Sequence, residues 1–127
     1  MRPYSDPGIS PEQAIAQHIE NALTVFRANA KFWRVATQLR FQPGINAAVG
    51  AQIESGNRFI VAQLTEHFRQ AGSDSPEIDA LLLFAQIDGI CLHWLQMPDS
   101  YPIDDILKKL TAPYPPQHSK LPNSLNP

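Results

Sequence analysis

The 127-residue sequence holds a single cysteine, Cys91. No disulfide can form within one chain, and a cytoplasmic protein is the reading this favours. An excess of charge of either sign is equally missing. Ten Lys and Arg stand against twelve Asp and Glu, for a net charge of −2. Binding to nucleic acid by bulk charge is thereby excluded. The only adjacent basic pair is Lys108-Lys109. Long hydrophobic runs are scarce too. The longest, Ala80 to Leu95, is interrupted by Gln86, Asp88 and His93, and it reads as too short and too polar to span a bilayer. Met1 to Ser10 has no apolar stretch of signal-peptide type.

Motifs that carry known chemistry are absent as well. The sequence has no H-E-x-x-H, no C-x-x-C, no Walker lysine and no G-x-G-x-x-G,. A di-iron helical bundle needs Glu-x-x-His. The residues three after Glu12, Glu20, Glu54, Glu66 and Glu77 are Ile15, Leu23, Asn57, Arg69 and Ala80. No metal site, no cofactor and no catalytic group are expected. Cys91 and His93 lie two apart, so on a helix they point away from each other, and Cys91 reads as an inert core thiol.

What is present is helical periodicity punctuated by proline and glycine. Ser10-Pro11-Glu12-Gln13 is a capped helix start. Ile15, Ile19, Ala22 and Phe26 follow at helical spacing, so the first helix runs from about Pro11 to Ala28 or Asn29. A second carries Phe32, Val35, Ala36 and Leu39 and ends before Pro43-Gly44,. The third, from about Ile45 to Ala71, has Ile45, Val49, Ile53, Ile60, Leu64 and Phe68 as its stripe. Gly50 and Gly56 lie inside it, marking a kink or a close approach to the backbone, and Gly72 stops it. Ser75-Pro76-Glu77 repeats the capped start for a fourth helix, ending near Gln96. Pro102 opens a short fifth, with Asp104 and Asp105 in its first turn and Lys108 and Lys109 in its last, the order the helix dipole favours,. Residues 1–9 read as a flexible arm, 10–112 as one helical domain and 113–127, with five prolines, as a disordered tail,. The fold class is all-α, a five-helix bundle.

The fourth helix is the most informative. Ile78, Leu82, Ala85, Gly89 and Leu92 line one side; Leu83, Phe84, Ile87, Cys91 and Trp94 line much of the other. A helix packed on one side needs one apolar stripe, so this one should be covered twice, by the core and by a second subunit. The expected homodimer interface is Leu82, Ala85, Gly89 and Leu92 with Ile103, Ile106 and Leu110 of the fifth helix. Asp88 is the odd residue of that helix. It reads either as a polar anchor for an effector or as the partner of Arg34 or Arg40, because a lone buried carboxylate is costly.

The stretch Ala80-Leu-Leu-Leu-Phe-Ala-Gln-Ile-Asp-Gly-Ile-Cys-Leu-His-Trp-Leu95 resembles the penultimate helix of tetracycline-repressor (TetR) family transcriptional regulators, with Asp88-Gly89 inside an apolar run. Met97-Pro98 and the helix from Ile103 to Leu110 match the loop and last helix that follow. The resemblance covers about Ser10 to Thr111. It implies the C-terminal effector-binding and dimerisation domain of such a regulator, dimerising through its last two helices around a pocket for a small apolar effector. The headpiece that reads DNA is absent from this sequence, so contact with DNA belongs to a parent protein only. Phe26, Trp33, Phe59 and Phe84 come from four apolar stretches and are expected to line the pocket, with Gln52 and Asp88 as its polar groups. The plainer alternative is that these rings fill the core. Two other readings stand beside the non-enzymatic sensor: a small helical enzyme with an apolar substrate pocket, and an interaction module. No membrane partner is expected.

Overall fold

The computed structural model describes residues 8–40, 42, 44 and 47–114. These form five helices and no strand: α1 (Pro11–Ala28), α2 (Ala30–Arg40), α3 (Ala47–Gln70), α4 (Pro76–Gln96) and α5 (Ile103–Thr111). The starting residues of the arm, Pro43, Ile45 and the tail from 115 onward lie outside the described residues.

The helix ends follow from local chemistry. The Ser10 hydroxyl accepts from the Gln13 N–H at 3.0 Å, satisfying one of the donors a helix start leaves open,. Asn29 separates α1 from α2 by one residue, and its amide donates to the Val25 carbonyl at 2.8 Å. Gly72, at φ +90°, closes α3. Its N–H reaches the Arg69 carbonyl and the Ser73 N–H reaches Phe68, the paired bonds of a Schellman stop,. At α4 the expected Ser75 side-chain cap is not made. Ser73 serves instead: its hydroxyl accepts from the Ser75 N–H at 3.0 Å and donates to Asp79 at 2.6 Å. The charges of α5 lie as expected, acidic in the first turn and basic in the last.

The core joins Ile15, Ile19 and Leu23 of α1, Leu64 and Phe68 of α3, Ala80, Leu83, Ile87, Ile90 and Cys91 of α4, and Ile103 of α5. The pairing of α3 with α4 is the most extensive. The core draws on the C-terminal part of α3 and on α4 along most of its length, from Ala80 to Leu95. The N-terminal half of α3 lines an open cleft with α4 and α2. Helix α2 contributes no buried residue at all. Tyr114, placed in the tail by its sequence, packs its ring against Phe68 at 6.0 Å.

At 21 residues α4 is long and apolar enough, by length and composition, to cross a membrane. That corrects the expectation drawn from the shorter Ala80–Leu95 stretch. Its packed side, from Ala80 through Leu95, is the core of this bundle.

Two histidines are buried in the core end. His18 of α1 and His67 of α3 face each other with ring centroids 6.5 Å apart. Burial lowers the pKa of both, and the two rings oppose each other's protonation at His18. In the unfolded chain each returns to its ordinary value of 6.5. The stability they contribute is therefore present in full above 6.5 and is lost as pH falls through the lowered folded values. The melting temperature should fall on acidification from neutral pH into that window, and His18→Leu combined with His67→Leu should flatten the slope. A slope unchanged in the double variant would contradict the assignment.

Candidate functional site

A cleft of about 590 Å³ opens between α2, α3, α4 and the end of α1. This volume falls in the range of small-molecule sites, about 300–1,000 Å³. The sequence explains the geometry. Asn29 breaks the first helical segment, so α2 leaves the direction of α1. Its apolar residues then face the cleft rather than the core: Phe32, Val35 and Leu39 are 63%, 56% and 44% exposed. They form one wall with Trp33 and Ala36.

The second wall is α3, with Gln52, Ile53, Gly56, Asn57 and Ile60, positions on one helical face. An added Cβ at Gly56 would meet nothing within 4 Å, nor would one at Gly50. Among the described residues nothing closely approaches these glycines, and Gly56 lines the cleft. The floor is α4, with Phe84, Ile87, Asp88, Cys91, Leu92 and Leu95.

The inner end is aromatic. Phe26 stacks on Trp33 at 5.6 Å and meets Trp94 edge-on at 6.0 Å, while Phe32 packs edge-on against Trp33 at 5.1 Å. Arg27 lies over the Trp94 ring at 5.7 Å and pairs with Asp104 of α5 at 3.2 Å, tying α1 and α5 together behind the cluster. The charged part of the lining is one pair, Arg40 Nη2 to Asp88 Oδ2 at 3.5 Å, linking α2 to α4. Both side chains are partly exposed, so the pair itself stabilises by no more than about 1 kcal/mol. The Cys91 thiol is pushed up to about 12 by its burial and by the Asp88 carboxylate. It is protonated at neutral pH and nucleophilically inert.

Five of the six expected pocket residues come together here: Phe26, Trp33, Gln52, Phe84 and Asp88. Phe59 does not. It lies outside the lining and is 63% exposed. Asp88 has Arg40 as its partner, one of the two arginines expected. Leu92, assigned to the subunit interface, is part of the cleft floor. Ile103, assigned to the same interface, is buried in this chain's own core, and Ile106 and Leu110 pack against it. Leu82 and Ala85 are exposed. The sequence reading missed the α2 wall and Ile87, Cys91 and Leu95. Helical spacing from Phe84 and Asp88 would have found the last three.

Among the described residues no cluster of three or more His, Cys, Asp or Glu could hold a metal ion. No protein-family model, no curated protein and no solved structure matches this chain.

Proposed function

We propose that this chain is a non-enzymatic, small-molecule-binding and dimerising helical domain, of the kind that forms the effector-sensing half of a TetR-like transcriptional regulator. The observation that carries the reading is the cleft. It is drug-sized, walled mainly by aromatic and aliphatic side chains, and edged by a few polar ones, the composition of a ligand site. Helix α2 supports it further, since a helix whose apolar face is left uncovered by its own chain gains most from a molecule bound against it. The dimer rests on a separate surface, the α4 face bearing Ile78, Leu81 and Leu82, which are 52–60% exposed.

Gly56→Trp tests the cleft without weakening the fold. The new ring enters open space, and replacing a helical glycine should hold stability or raise it by about 0.5 kcal/mol. A bound compound at about 100 times its dissociation constant should add roughly 2.7 kcal/mol to the wild type, a shift of several degrees. A thermal-shift screen of apolar compounds, charged and uncharged, should find such shifts in the wild type and lose them in Gly56→Trp. A screen with no shift, or shifts that persist in the variant, overturns the site.

A further inference from the structure

The chemistry of the lining narrows the ligand class. Apart from Arg40 and Asp88 the lining residues are uncharged, and those two are joined to each other. The remaining polar side chains are the hydroxyl of Thr37, the indole N–H of Trp33 and the amides of Gln52 and Asn57,. Each amide offers both a donor and an acceptor without a charge. Cys91, the remaining titratable group of the lining, is protonated at neutral pH. Among the described lining residues the charges therefore sum to zero.

A charged ligand gains little from such a site. An anion drawn to Arg40 meets Asp88 beside it, and a cation drawn to Asp88 meets Arg40. At a separation of 3.5 Å the attraction of one group is largely offset by the repulsion of the other,. The cost of partly desolvating the ion remains. An uncharged molecule bears no such cost, and its single polar end finds matching groups on α3. Its apolar body meets the rings of Phe26, Phe32, Trp33 and Phe84.

We infer that the cleft takes an uncharged, mainly aromatic molecule with one hydrogen-bonding end, the rings held by α2 and α4 and the polar end by Gln52 and Asn57. This rests on the reading of the cleft as a ligand site and adds its selectivity. The Arg40–Asp88 pair excludes ions of either sign as long as both members are present. Removing one member converts the site into a receptor for the opposite charge.

The test is calorimetric titration of the full chain with three matched probes, naphthylmethanol, naphthoate and naphthylmethylammonium, at neutral pH and low salt. The alcohol should bind roughly tenfold or more tightly than either ion. In Arg40→Met the preference should shift to the ammonium, and in Asp88→Asn to the carboxylate. Both side chains are partly exposed, so both variants should fold, as their melting curves will show. An ion bound as tightly as the alcohol by the wild type overturns the class and leaves the ligand site standing. So does a charge preference that fails to move in the variants. No binding of any probe overturns the class and the ligand site together.

Discussion

Leu83→Ala should destabilise the domain by about 3–5 kcal/mol, while Leu81→Ala and Leu82→Ala, at the two preceding positions, should each change stability by about 0.5 kcal/mol or less. Leu83 is 1% exposed and lies in the core cluster between α1 and α3. Removing its branched end leaves a cavity that close-packed neighbours cannot fill, and that loss adds to the lost transfer energy. Leu81 and Leu82 are 52% and 60% exposed, so in a single chain their truncation removes little packing. Against a total stability of about 5–15 kcal/mol for a domain of this kind, the first change removes a large share. Urea denaturation of the three variants at low protein concentration measures the contrast. Equal losses at all three positions would show that α4 is not rotated as described.

The three consecutive leucines also show how much of the fold the sequence made legible. Periodicity sets Leu82 and Leu83 on different sides of α4, and the capping signals at Ser10, Asn29 and Gly72 place the helix ends to within a residue or so. Local chemistry alone determines these. What periodicity could not supply is which apolar stripe ends up covered. Phe32, Val35 and Leu39 have the same spacing as Ile15 and Ile19. The α1 pair is fully buried and the α2 set lines an open cleft. The difference arises from where Asn29 sends α2 relative to α3 and α4, a tertiary matter that stripe composition does not encode. Phe59 fails for a related reason. Spacing along a 24-residue helix leaves its facing ambiguous, and it lies outside the lining that Gly56 and Ile60 help to form. Asp88 was the better guide. The sequence left an effector anchor and an arginine partner open; Arg40 lies 3.5 Å away, and the carboxylate is partly exposed rather than buried.

Leu82→Glu should convert a dimer into a monomer while leaving the fold of the single chain intact. The argument begins with the exposed side of α4, where Ile78, Leu81 and Leu82 stand together with Ala85. Large apolar residues clustered on one helix face are costly to leave in water, and a two-fold axis along that face would cover them with their own copies. Gly89 extends the face, and a Cβ there would meet nothing within 4 Å, so a second helix has room to approach. Ile103 takes no part, being committed to the core. Interfaces of specific dimers bury about 1,200–2,000 Å² in total, which one helix reaches only with its flanks. A glutamate at position 82 is solvated in the monomer but sits unpaired in the seam, where the desolvation of its charge opposes association. Light scattering at tens of micromolar should give twice the 14.1 kDa chain mass for the wild type and the single-chain mass for the variant. The melting curve of Leu82→Glu at high dilution should match that of the wild type at the same dilution, since the change touches no packed group within the chain. A wild type that stays at 14.1 kDa overturns the dimer. A variant that remains dimeric moves the axis off this face.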